Sequence, residues 1–492
     1  MSNRPFSSAS LSFIRHGFVT AWIACLFVLP AMAQQEVPAL SDDEQKACDT
    51  IAEREVVADL TFLASDELEG RGTGSEGLRI ANAYVASRFR AAGLVGPDPN
   101  NEDDFFQVHE IDMLLTSSTG LQLTDKGGKS FNVLGCLSSN ETDINTKEGF
   151  GAYDPESDEV SDLSFSGPVV VNATSILSDE RAANGQFAAR LLSNTARRIA
   201  RQGATAMIIS VEADGSLAKF AQAQMDSPRM ANPRGGSGIP VLLVEGDVDA
   251  SKLGSCQIPG AQKIKQPVAN VVGILHGSDA EMKGEAIIVS AHLDHLGARA
   301  NGAEDGIYNG ADDNASGVCG VLALAKAFAA METAPKRTVI FAAFWGEERG
   351  LLGSRKMVEN PVWPLDKTVA NINIEMIGRP EAGANGKVWM TGWDQSNLGK
   401  LMGAGSQRLG VDIFEHPQFS NRLYRASDNW AFVQGGVIAH SFSAGSLHDD
   451  YHQPSDEWQK LNTRHMSIVC RGLFAGSLPI AQGQLTPKAD DK

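Results

Sequence analysis

The sequence is poor in features that would tie it to a membrane, a nucleic acid or a disulfide framework. Of its six cysteines, Cys25 lies in the first apolar run, and Cys48, Cys136, Cys256, Cys319 and Cys470 are scattered singly. Five leave at least one thiol unpaired, and their spacings suggest no framework. Cys319 sits in an Ala- and Leu-rich helical stretch and reads as a free buried cysteine. Lys and Arg number 42 against 60 Asp and Glu, a net charge of −18. That balance argues against nucleic acid and anionic membrane surfaces as partners. Beyond the first residues no stretch approaches the roughly 20 apolar residues of a membrane span, so no stable span is expected.

What is present begins with a leader. Arg4, Arg15 and His16 precede "GFVTAWIACLFVLP" and Ala31-Met32-Ala33. Positive n-region, short apolar core and A-x-A site predict a signal peptide over 1–33, cut before Gln34, and export to the periplasm or the extracellular space. A lipoprotein site at Cys25 fits poorly, because apolar residues continue after it. Helical periodicity follows at 44–66 and 78–92. Gly72 to Gly77 between them match G-x-G-x-x-G, but no strand precedes, so an inter-helix loop is expected rather than a dinucleotide site. Residues 112–264 then change character. Short β-type runs ("SGPVVVNAT", "TAMIISV", "IPVLLVEG") alternate with loops, and one helical stretch begins at Ala189. The acidic stretch 144–162 reads as a surface excursion. No metal-ligand spacing occurs there, so 112–264 is expected to be a β-rich domain inserted between 34–111 and 265–492.

From about residue 268 apolar strands alternate with helices. The expected fold is α/β, a mixed, mostly parallel sheet sandwiched by helices, with its ligand crevice beyond the carboxyl ends of strands. Those ends are where the ionisable residues fall. "AIIVSAH" ends in His292, followed by Asp294 and His295. "NGADDNASG" holds Asp312 and Asp313, "FWGEERG" holds Glu347 and Glu348, and "NIEMIG" holds Glu375. "HDDYHQPSDEW" holds His448, Tyr451, His452 and Asp456. Each alone has an ordinary explanation: Asp312 and Asp313 as helix caps, the Glu pair as a solvated helix start, His452 as structural. Together they would repel one another without a cation. Two histidines and three or more carboxylates suit zinc, and there are more donors than one four-coordinate ion needs.

These motifs, taken in order, resemble those of the M28 metallopeptidases, co-catalytic dizinc exopeptidases commonly acting as aminopeptidases. "LASDELEGRGTGSEG" resembles the family's N-terminal helix pair, and 112–264 resembles a protease-associated domain. The resemblance implies two zinc ions, with His292 and Glu375 on one, Glu348 and His452 on the other, and Asp313 bridging. Asp312 takes the variable position before the bridge. Glu347 matches the general base, Asp294 the carboxylate that orients the first histidine, and Tyr451 a position that polarises the substrate carbonyl. His295 is left as an edge residue. The family often has Asp where this chain has Glu375, which leaves room for another divalent metal. The implied substrate is a peptide with a free N-terminus. Two readings compete with it. One is a carboxypeptidase or dipeptidase using Arg422 or Arg425; the other is a binding protein on an inactive scaffold, disfavoured because no ligand position is lost. A single-zinc cyclase is disfavoured on the same ground.

Overall fold

The chain's apolar runs form one large mixed sheet, seen here in a computed structural model that describes residues 37–138, 140–230, 238–298 and 305–490. The leader expected at 1–33, with Cys25, lies outside the described residues. The strands of this sheet are β1 (Phe106–Leu115), β2 (Arg229–Met230), β3 (Gln262–Leu275), β4 (Ala286–His292), β5 (Thr338–Phe344), β6 (Thr368–Ile374), β7 (Lys387–Met390), β8 (Asp412–Phe414) and β9 (Ala439–Ser443). Their spatial order is β8-β7-β9-β6-β4-β5-β3-β1-β2. The central strands β9, β6, β4 and β5 run parallel. β3 joins β5 antiparallel, β1 joins β3 antiparallel, and β7 joins β9 antiparallel.

Every residue of β4 and of β5 is buried, as expected of strands covered on both faces. On one face Phe341 packs against Phe89 and Phe328, from helices Glu76–Ala91 and Gly317–Ala329. Phe328 in turn meets Phe474 of helix Thr463–Ala481. On the other face Ile288, Ile340 and Phe344 share a core with Met357 and Phe432, from helices Leu352–Glu359 and Asn429–Gln434. The four central parallel strands therefore point their carboxyl ends to one side, with helices closing both flanks.

β1 and β3 pair from Phe106 with Val271 out to Leu115 with Gln262, a long ribbon leaving the sheet. Residues 112–115 and 262–264 thus belong to the ribbon rather than to what lies beyond it. Beyond it stand a five-stranded sheet and a three-stranded one, together spanning Gln122 to Ile258. Met207, Ile209 and Leu243 face a core with the helix Gly185–Ala200, while Ile208, Leu242 and Val244 face a second core with Leu253 and Ile258. The stretch 144–162 is more than a surface excursion. It supplies Ile144–Thr146 and Gly151–Tyr153, edge strands of the two small sheets. Three-residue, half-exposed edge strands carry too little apolar pattern to be seen in the sequence. The five cysteines outside the leader are all free and buried.

The loop between the first helices is folded tightly rather than loose. Glu69, Gly70 and Arg71 take positive φ values of 48°, 66° and 49°. At Gly70 a Cβ would stand 2.3 Å from the Tyr308 carbonyl oxygen, so only glycine fits. This turn delivers the Arg71 side chain to the interior. Ser75 then caps the helix Glu76–Ala91 by accepting from the Leu78 N–H.

Candidate metal centre

Four strand ends and one loop converge on Asp313. His292, the last residue of β4, places Nε2 3.0 Å from Glu375 Oε1 and 3.2 Å from Asp313 Oδ1. Glu375 follows β6, and its other oxygen accepts from Ser427 Oγ at 2.6 Å, which fixes the carboxylate. The second oxygen of Asp313 lies 3.0 Å from His452 Nε2, and Glu348 Oε1 lies 3.3 Å from the same nitrogen. Asp313 therefore turns one oxygen to each histidine, as a bridging carboxylate would. The longer Glu375 side chain reaches His292 without displacing it.

The charges decide what can sit here. Burial disfavours an imidazolium at His292, yet Glu375, Glu347 and the Asp313 contact hold its pKa well above the ordinary value. Burial would raise Asp313, but hydrogen bonds from His292 and His452 hold it well below the usual carboxylate range. Burial likewise opposes ionisation of Glu348, while His295 and His452 bring it down to about 2. Several anions packed in a dry site thus depend on neighbouring positive charge. Asp313, Glu375 and His292 form one group whose donor atoms lie close enough to share an ion, and Asp313, Glu348 and His295 form another. Glu348 Oε1 is buried with no hydrogen-bond partner among the described residues. Imidazole and carboxylate donors in this number fit two divalent cations of the zinc type.

Glu347 belongs to neither group, although it lines the adjoining pocket. Burial, opposed by His292 and reinforced by Asp428, Glu375 and Glu348, holds its carboxyl well above the ordinary range. Its backbone N–H donates to Asp294 Oδ1 at 3.0 Å. Asp294 departs from the expected role. His292 Nδ1 lies 3.0 Å from the main-chain carbonyl of Asp294, whereas the carboxylate is 3.9 Å away. The carboxylate instead accepts from Thr73 Oγ1 at 2.6 Å and from Glu347. Asp294 thus orients the histidine through its backbone and the base through its side chain. Tyr451 lines the pocket with its ring stacked on His452, 3.8 Å between centroids. Asp312 points away from the donors, its carboxylate accepting from the Gly378 N–H at 2.7 Å and lying 3.2 Å from His448 Nε2.

Arg71 escaped the sequence reading, and Asp456 and His295 were singled out there without the parts they play in the structure. Arg71, wholly buried, donates to the carbonyls of Leu63, Leu293, Asn309 and Gly310, tying the β4 end to the Asp312–Asp313 loop. Asp456 accepts from the Asp312 and Asp313 backbone N–H groups and so holds the bridging residue in place. His295 is no edge residue: it has no exposed surface, and Nδ1 lies 2.8 Å from Glu348 Oε1. Its nearness to His292 was visible in the sequence, but that strand alternation ends at His292 and both rings come to face Asp313 was not.

The model of peptidase family M28 matches residues 270–474. A probable zinc metalloprotease of Pyrenophora tritici-repentis is 42% identical over 73 residues, 15% of this chain and 16% of that protein. A probable glutamate carboxypeptidase of Arthroderma benhamiae is 33% identical over 114 residues, 22% of this chain and 14% of that protein. This chain thus spans about a seventh of the length of these curated relatives. In fold it is similar to a zinc aminopeptidase from Bacillus subtilis, with a TM-score of 0.51 and 16% identity over 87% of this chain and 94% of the other.

Proposed function

The chain carries a metallopeptidase domain of family M28 over residues 270–474, and from it we propose an exported aminopeptidase that removes N-terminal residues, preferring apolar ones. One observation carries the reading. The pocket beside His292, about 80 Å³, has Asp313, Glu347 and Glu375 in its lining and no Lys or Arg among the described residues. With Asp313 and Glu375 committed to the cations, Glu347 is the carboxylate left to complement a substrate ammonium, and the lining offers no side-chain cation to a substrate carboxylate. Met376, Trp389, Leu423 and Leu447 give the pocket walls a mostly apolar character, between Thr391 and four serines. Arg422 and Arg425, the cations a carboxypeptidase would need, are exposed outside this lining, and Arg425 lies over the Trp430 ring.

Two zinc ions held by His292, Asp313, Glu375, Glu348 and His452 would lower the pKa of an attacking water towards 7 and draw charge from the scissile carbonyl. The remaining work falls to side chains. Glu347, close by yet outside both donor groups, takes the water proton and returns it to the leaving amine. Asp294 fixes the Glu347 backbone so that this carboxylate faces the pocket. Tyr451, which lines the pocket, would donate its hydroxyl to the carbonyl oxygen as charge develops. Export rests on the sequence of residues 1–33 and is tested by N-terminal sequencing of the secreted product, expected to begin at Gln34.

One peptide offered free, N-acetylated and C-amidated tests the direction of cleavage. Acetylation should abolish hydrolysis, and amidation should leave it nearly unchanged. Release of the C-terminal residue from the acetylated peptide would replace this reading with a carboxypeptidase.

A further inference from the structure

His295 is fully buried, and both its ring nitrogens lack a hydrogen-bond partner among the described residues. Buried polar atoms are rarely left so. Nδ1 nonetheless lies 2.8 Å from Glu348 Oε1 and 3.8 Å from Asp313 Oδ2. Glu348 Oε1 also makes no hydrogen bond, so the two atoms are close but not aimed at each other. That is the arrangement of two ligands turned towards a common ion. The ring is held there. Its backbone N–H donates to the Arg71 carbonyl, and Gly310 lies so close that a Cβ would stand 2.4 Å from the His295 Cγ. His452 reaches the same two carboxylates from a partly exposed position, with 34% of its side chain open to solvent.

Resting on the metallopeptidase reading, we infer that His295 is a direct ligand of the second cation, which is then held by four side chains: Asp313, Glu348, His295 and His452. The first cation keeps three: His292, Asp313 and Glu375. Four protein donors characterise closed structural zinc sites, whereas three with an open place characterise catalytic ones. The pocket agrees with this division. Its lining includes His292, Asp313 and Glu375 but none of Glu348, His295 and His452. The first position is therefore the one open to the substrate, and the second would add its charge from behind the bridging aspartate while anchoring the strand ends.

Zinc and cobalt titrations of the metal-free wild type, His295→Ala and His295→Gln test this, with circular dichroism reporting the fold. The wild type should take two ions. Both variants should keep one at unchanged affinity and bind the second at least about 100-fold more weakly, with a changed cobalt absorption spectrum. Added imidazole should restore the second ion in the Ala variant. Glutamine can still donate to Glu348 but supplies no imidazole. Wild-type affinity for the second ion in His295→Gln would make His295 a mere support of Glu348 and overturn the inference. If the variants do not fold, X-ray absorption at the zinc edge of the wild type decides. Three imidazoles per two zinc ions are expected, and two would overturn it. A wild type that takes no metal would instead defeat the metallopeptidase reading itself.

Discussion

None of the chain's ten histidines falls between residues 116 and 261, the stretch that forms the two small sheets, whereas the large sheet gathers three around one aspartate. Both regions use apolar strands buried on two faces. They differ in how those strands end. In the small sheets Val241–Glu245 ends in an exposed glutamate, and Met207–Val211 turns polar at an exposed Ser210. In the large sheet β4 ends in a buried histidine, and Glu375 follows β6 into a mostly covered site. Removing one partner from a buried charge cluster typically costs 3–5 kcal/mol, so such clusters persist only where each charge is answered. Charged strand ends that stay in water need no ligand. Those that do not stay in water mark where a ligand belongs.

The largest effect that would break this comparison is at Glu347. Glu347→Gln keeps the shape and the Asp294 contact, which is made through the backbone, but removes the proton acceptor. kcat should fall by roughly 10²–10⁴ while two metals per chain remain. Near-normal turnover in the fully metallated variant would leave the large sheet without its base.

Acid should separate the regions next. His440 and His465 are buried in the large-sheet part, and burial pushes both pKa values down to about 4, although the Thr391 carbonyl on His440 and Asp312 near His465 act the other way. An unfolded histidine titrates near 6.5, so below that pH the unfolded chain binds more protons. Stability is therefore complete above about 6.5 and is lost as pH falls towards 4, by about 2 kcal/mol per histidine at pH 5. The small sheets, with no histidine, lack this dependence on acid. Urea unfolding at pH 7 and pH 5 should show His440→Gln losing less stability on acidification than the wild type. An identical loss in both proteins would remove His440 from the account.

Much of this was legible because burial and period are written in residue type. The central strands and the helix that follows the Asp312–Asp313 loop show as apolar runs, and ligand-type residues at several strand ends imply one crevice. What stayed hidden depends on backbone direction. Arg71 and Thr73 sit in a glycine-rich loop whose positive φ values aim the arginine inward, and no periodicity encodes that. The Asp294 carboxylate was expected to hold His292, but that the carbonyl makes the contact instead is a matter of main-chain course. His295 looked peripheral because strand alternation fails once the strand ends, at His292.

The smallest effect sharpens the comparison most, because it predicts no change. Leu115 and Gln262 face each other at the end of the β1–β3 ribbon, so replacing 116–261 by Asn-Gly should close a two-residue hairpin. The deletion removes β2, which pairs with Met113 and Leu114, and so uncovers two buried side chains at a new sheet edge. Some loss of solubility is expected from that edge, though Asp112, Lys263 and Lys265 beside it oppose strand-to-strand association. The small sheets keep their own two cores, and none of their residues lies among the metal donors. Metal analysis of the folded deletion should therefore still find two ions per chain, with Leu-amide hydrolysis retained. A well-folded deletion that binds fewer ions would show that the small sheets shape the strand ends after all, and the contrast between the regions would fail.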